Sequence, residues 1–208
     1  MSRNPLPISA SRLVVGEGYT DQAVFHEIIK QNHIPDFQAL WASGSGSVAA
    51  YLRSLEVPTN FDKVKLIVVV GDYDENASFG WMATQVARAG YTKPTMDREV
   101  VKTTNKPDIA ILMVPSAPSG CIESLCYEAA RERWPDLEQP LQEYIRQTPA
   151  IGWQASKLAV ARVECTLSVI CEEHPERSLK DHWQNPLEFR LPVDGPAFAD
   201  VVSFLRSL

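Results

Sequence analysis

Three hydrophobic runs in this chain break into acids. Arg12-Leu13-Val14-Val15-Gly16 leads into Glu17, and Val64 to Val70 leads through Gly71 into Asp72 and Asp74. Ile109 to Val114 is followed, beyond Pro115 and Pro118, by Glu123. Carboxylates gathered at one sheet edge repel one another unless a cation joins them. An oxygen-only donor set, with no Cys or His, suits Mg2+ or Mn2+. Asp72 and Asp74 are two residues apart, so on extended backbone both point to one side and Tyr73 to the other. Any one of these acids could instead cap a helix or sit in a solvated turn. The metal reading draws its weight from acids at three strand ends together, with glycine on both sides of Glu17.

The elements that would position these acids alternate. Arg12–Gly16 reads as a strand, and Ala23–Gln31 as a helix with apolar residues on one face, capped by Thr20 with Asp21 in its first turn. Phe37–Trp41 is a second strand, Ser43-Gly44-Ser45-Gly46-Ser47 a turn, and Val48–Leu55 a helix. Val64–Val70, almost without polar residues, has the composition of a strand covered on both faces. Ser78–Gly90 returns to helical spacing, Ile109–Val114 is another buried strand, and Ile122–Trp134 is helical. This order implies an α/β fold, a mainly parallel Rossmann-like sheet flanked by helices. Its acids would collect beyond the carboxyl ends of the strands. After Trp134 the strand signals fade. Leu141–Arg146, Gln154–Glu172 and Pro196–Leu208 read as helices and Glu188–Leu191 as a short strand. We therefore expect an α/β core over residues 1–134 and a mainly helical extension over 135–208.

At 208 residues, 45% hydrophobic and 22% charged, the chain can bury a core and is not disordered. Its net charge of −6 argues against a basic coat for non-specific duplex binding. It does not exclude a nuclease, because a bound divalent ion supplies positive charge locally. No apolar run is long enough to span a membrane, and Met1-Ser2-Arg3-Asn4-Pro5 lacks a signal peptide's apolar stretch, so a cytoplasmic protein is expected. Cys121, Cys126, Cys165 and Cys171 form no CxxC pair and read as reduced, small hydrophobes. His26, His33, His174 and His182 are scattered, and none is assigned a catalytic role.

Two of the acidic motifs carry a resemblance. Leu13-Val14-Val15-Gly16-Glu17-Gly18-Tyr19-Thr20-Asp21 resembles the first motif of Toprim domains, and Val68-Val69-Val70-Gly71-Asp72-Tyr73-Asp74 resembles the second. The chain is similar over most of its length to stand-alone bacterial Toprim-like proteins, the domain of unknown function 3226. It is more distantly similar to Toprim nucleases of the overcoming-lysogenization-defect type. The resemblance implies that Glu17 is a metal ligand or acid–base group and that Asp72 and Asp74 are paired ligands. Glu123, in Pro118-Ser119-Gly120-Cys121-Ile122-Glu123, would complete a second metal site. Lys157, in Ser156-Lys157-Leu158-Ala159, would steady a scissile phosphate or else is a solvated lysine on a helix. Asp21 would bind metal or start the helix. Gly16 departs from the aliphatic residue many Toprims carry there.

The activity implied is metal-dependent hydrolysis of DNA or RNA, two ions clamping the attacking and leaving oxygens. A covalent topoisomerase route needs a gating domain, and a primase needs template-binding modules; the chain has room for neither. With no GxxxxGK[ST] in the sequence, any ATPase or sensor that triggers it would be a separate partner, as in phage defence. The competing readings are a Toprim-like binding or regulatory module without turnover and, from the Asp-x-Asp, a haloacid-dehalogenase-type phosphatase. Asn76 and the more than 60 residues before Leu66 disfavour the latter. Ser43–Ser47 is a tight turn or an anion cradle. Lys93, Arg98, Lys102 and Lys106 are a solvated loop or a backbone-tracking patch. Trp134, Trp153 and Trp183 are packing residues or a partner surface.

Overall fold

Aliphatic and β-branched runs bounded by turn formers become strands here, and the amphipathic stretches between them become helices. The structure, a computed structural model, describes residues 7–43, 47–57, 60–73, 78–115 and 120–208. The first part runs β1 (Arg12–Gly16), α1 (Tyr19–Gln31), β2 (Phe37–Trp41), α2 (Val48–Ser54), β3 (Leu66–Asp72), α3 (Phe79–Arg88) and β4 (Asp108–Val114). Then come α4 (Ile122–Arg133), α5 (Glu138–Arg146), α6 (Ala155–Ile170) and α7 (Ala199–Ser207), linked by short 3-10 turns. The chain divides into two compact units, Met1–Met113 and Val114–Leu208. The change after Trp134, where strand signals fade, falls inside the second unit.

The four strands form one parallel sheet in the order β2-β1-β3-β4. β1 is central, its Arg12–Gly16 paired with Phe37–Trp41 on one side and its Arg12–Val15 with Leu66–Val69 on the other. Parallel strands need crossovers, and the crossover helices cover both faces. Ile67, Val68 and Val69, like every residue from Ile109 to Val114, have no solvent exposure. Leu13, Val15, Ile67, Val69, Ile109 and Ile111 pack with Leu52 of α2 and with Met82 and Val86 of α3. The alternate residues Val14, Val68 and Val70 point to the other face, and α1 packs along β1 and β2. Each such side chain withdrawn from water contributes about 1.5–3 kcal/mol, which is why the register is well specified.

The β4 edge is covered by residues 97–101. Arg98 N–H donates to Ile111 O (2.7 Å), Val101 and Ile109 exchange two backbone bonds (2.8 and 3.0 Å), and Met113 N–H donates to Asp97 Oδ1 (2.8 Å). This ladder uses much of the stretch that the sequence marks as basic. Arg98 Nε lies 3.5 Å from Asp97 Oδ2. Lys106 Nζ bonds Glu56 Oε1 (2.6 Å) and Ala89 O (3.0 Å) and sits 4.6 Å above the Tyr91 ring centroid. Lys93 and Lys102 remain exposed.

Two local expectations are corrected. The strand expected at Glu188–Leu191 is a 3-10 turn, Leu187–Phe189, followed by extended chain. Leu191 has no strand partner because His182 Nε2 accepts its N–H (2.9 Å) and Trp183 Nε1 donates to its carbonyl (3.3 Å). Helix α1 begins at Tyr19, so Thr20 lies inside its first turn and Gly18 is the N-cap. Among the described residues no helix is long and apolar enough to cross a membrane. Cys121, Cys126 and Cys171 are buried and Cys165 is half-buried, all as free thiols.

Candidate functional site

Strand β1 ends in Gly16-Glu17-Gly18, and Asp21 shapes this turn. Its Oδ2 accepts the Gly18 N–H at 2.7 Å, satisfying one of the donors left open at the start of α1. Asp21 is buried, and its own backbone-facing atoms fill the space beside Gly16. A Cβ on Gly16 would overlap Asp21 Cβ, so the position that departs from the Toprim pattern is a glycine for a local steric reason. Asp21 thus performs the helix-start role. Gly16 O also accepts Ala42 N–H (3.0 Å), tying the end of β1 to the end of β2. Glu17, held between these constraints, is half-buried, and its Oε1 is shielded from solvent.

Asp72 ends β3. The register Val15↔Val69 brings Glu17 and Asp72, two and three residues further on, to the carboxyl ends of adjacent strands. Gly71 faces the core: a Cβ there would meet Met82 Cε at 2.8 Å and Met113 Sδ at 3.4 Å. Tyr73 packs on the same cluster, so alternation sends the half-buried Asp72 to the opposite side. Asp74 lies outside the described residues, as do residues 44–46 of the Ser–Gly turn and residues 116–119 of the proline loop. Among the described residues there is no group of three or more His, Cys, Asp or Glu able to hold a metal ion.

Glu123 and Lys157 belong to the second unit. Glu123 stands in the first turn of α4, whose N-cap is Cys121 and whose preceding residue, Gly120, has φ +139°. Cys121 Sγ lies 3.7 Å from Ser156 O, which brings the starts of α4 and α6 together and places Glu123 and Lys157 at one end of that helix pair. Lys157 is exposed and Glu123 half-buried. A further acid, Glu164 on α6, has no motif to announce it. Burial pushes its carboxyl above the usual range, and the charge of Glu123 adds to the shift. The Leu179 N–H, donating at 3.1 Å, and Lys180 oppose it. Of the tryptophans, Trp183 is buried packing, whereas Trp153 is 50% exposed beside Ile151 at 61%. His182, fully buried, is a structural residue.

Residues 11–208 match the family described as protein of unknown function DUF3226. The chain belongs to this family. Two solved structures are similar to this DUF3226 chain, both of the C-terminal region of the Xanthomonas campestris pv. campestris OLD protein. The form phased with platinum is 11% identical with a TM-score of 0.44, covering 95% of this chain and 93% of that one. The form phased with iodine is 10% identical with a TM-score of 0.44, covering 95% of each. No curated protein sequence matches the chain.

Proposed function

We propose that this DUF3226 chain hydrolyses phosphodiester bonds of nucleic acid with the help of Mg2+ or Mn2+. The observation that carries the reading is the placement of Glu17 and Asp72 at the carboxyl ends of adjacent parallel strands, the edge where open α/β sheets bind their ligands. The Toprim resemblance of the two motifs holding them supports it. The residues fit a hard divalent ion, because the donors are carboxylate oxygens. Bound there, the ion would supply an activated water and charge stabilisation at the leaving oxygen.

The chain's own residues prepare that site. Asp21 fixes the Glu17-Gly18 turn through the Gly18 N–H, and Gly71, packed on Met82 and Met113, fixes the backbone from which Asp72 projects. Carboxylates held in this way need little rearrangement when substrate arrives. For Asp74, Glu123 and Lys157 we keep the roles the resemblance implies: metal ligands for the two acids and phosphate contact for the lysine. Each is open to test by its own substitution. A separate ATPase or sensor as trigger, with a role in phage defence, is part of the same proposal.

The test is cleavage of labelled single- and double-stranded DNA and RNA with Mn2+, Mg2+ or EDTA, with Asp72→Ala alongside. The expected result is metal-dependent cleavage that falls at least about 100-fold in the variant. Metal binding by calorimetry without cleavage would move the assignment to a partner-activated enzyme or a binding module. Absence of both would overturn the site.

A further inference from the structure

An aromatic pair stands beside the carboxylates. Tyr19 opens α1, two residues after Glu17, and Trp41 closes β2, paired in register with Gly16. Their rings meet edge to face, with centroids 5.2 Å apart and planes at 75°. An edge-to-face contact occupies one of the four ring faces, so the pair fixes its own orientation. Tyr19 is 48% exposed and Trp41 is partly exposed. Two large rings that would each gain from full burial are instead held at the sheet edge that carries Glu17.

A second observation bears on what such rings would bind. A chain of net charge −6 has little to gain from counterion release on a phosphate backbone. Two cations of its most basic stretch are also committed internally, Lys106 to Glu56 and Arg98 to Asp97. Base stacking on exposed aromatic rings is a sequence-tolerant source of affinity that needs no basic surface. Bases in a duplex already have their faces covered by neighbours, so the partner must present an unpaired base.

We propose that Tyr19 and Trp41 form a stacking platform for an unpaired base of single-stranded nucleic acid, placing the adjoining phosphate toward Glu17 and Asp72. Both nucleic acid as the partner and the placement of its phosphate rest on the proposed function. The test is fluorescence anisotropy in EDTA with two labelled twelve-residue oligonucleotides of equal charge, one of thymidylate and one abasic. The wild-type chain should prefer thymidylate about 5- to 30-fold. Tyr19→Ala and Trp41→Ala should remove that preference without weakening abasic binding, and Tyr19→Phe should retain it, which separates lost stacking from lost folding. Equal binding of the two oligonucleotides by wild type, binding of neither, or a preference that survives both alanine variants would overturn the platform. The same proteins with Mn2+ report on hydrolysis separately. Base preference without cleavage would leave the platform and move the site to a partner-activated enzyme or a binding module, and cleavage without base preference would remove the platform alone.

Discussion

Asp21 occupies the space that a side chain on Gly16 would need, its Cβ overlapping where a Gly16 Cβ would stand, while its Oδ2 holds the Gly18 N–H at 2.7 Å. One buried acid therefore dictates the residue before Glu17 and the hydrogen bond after it. Gly16→Ala should displace Asp21 and cost about 2 kcal/mol by overpacking. Asp21→Ala, which removes the cap, should cost about 1 kcal/mol. Urea unfolding of both single variants and the double variant checks this. The two costs should be close to additive, because alanine at 21 keeps the Cβ that a Gly16 side chain would meet. A Gly16→Ala variant as stable as wild type would refute the packing argument. Asp21→Asn, which keeps an acceptor oxygen, should preserve both stability and metal affinity if Asp21 serves only the helix.

Gly120 makes a comparable demand ahead of α4. Its φ of +139° is open to glycine and strained for other residues, and an added Cβ would meet Pro115 Cγ at 2.9 Å and Ser124 Oγ at 3.0 Å. Ser124 Oγ in turn accepts the Cys121 N–H at 3.3 Å. Gly120→Ala should lower stability by about 2–3 kcal/mol, and Ser124→Ala by about 1 kcal/mol. Thermal unfolding should rank the two variants in that order. An unchanged melting temperature for Gly120→Ala would show that the loop relaxes freely.

The strands were legible in the sequence because their signal is local. Runs of five or six apolar residues, as in Leu66–Val70 and Ile109–Val114, can be satisfied only by burial on both faces. The acids at the strand ends followed from the same pattern. What was hidden depends on partners far along the chain. Lys106 looks like part of a basic patch until Glu56, fifty residues earlier, neutralises it. Leu191 looks like strand until His182 and Trp183 take its backbone groups. Glu164 is an ordinary helical acid in sequence, and only the packing of α4 on α6 sets it near Glu123. The start of α1 was misplaced because Gly18 caps it with no side chain of its own, the acceptor coming from Asp21 three residues on.

His182 should make the fold acid-sensitive. Its Nε2 accepts the Leu191 N–H at 2.9 Å, which requires a neutral ring. Burial, reinforced by the nearby Arg190 and Arg177 charges, pushes its pKa down from 6.5 to about 4, against a smaller opposing effect from Phe189. Between those values the unfolded chain takes up a proton that the folded chain refuses. The contribution is therefore full above pH 6.5 and is lost as pH falls toward 4, about 3 kcal/mol in all. Urea unfolding at pH 7.5 and pH 4.5 should show most of this loss in wild type and a smaller one in His182→Asn. Equal losses in both proteins would assign the acid sensitivity to carboxylates elsewhere.

Glu164 should respond to the charge of Glu123. Burial is the larger cause of the raised Glu164 pKa and the Glu123 charge a lesser one, so Glu123→Gln should lower it part of the way back. Carboxyl-carbon NMR titration of the two proteins reads this directly. The sign for stability is opposite to that of His182. A carboxyl whose folded pKa is raised favours the fold below its unfolded value and loses that advantage as pH rises through the folded one. Glu164→Gln should therefore gain stability relative to wild type on going from pH 4 to pH 7.

Metal should stabilise the fold through Glu17 and Asp72, and this can be read without any turnover. A ligand that binds only the folded chain adds RT ln(1 + [L]/Kd), about 1.4 kcal/mol at ten times Kd. Mn2+ at that excess should raise the wild-type melting temperature by a few degrees. Asp72→Asn, which keeps the size of the side chain and removes its charge, should abolish the shift, and Glu17→Gln should do the same. In EDTA both variants should melt at or slightly above wild type, because each removes one of two like charges held at a single sheet edge. A Mn2+ shift that persists in both variants would place the ion elsewhere in the chain, and the proposed hydrolytic site would move with it.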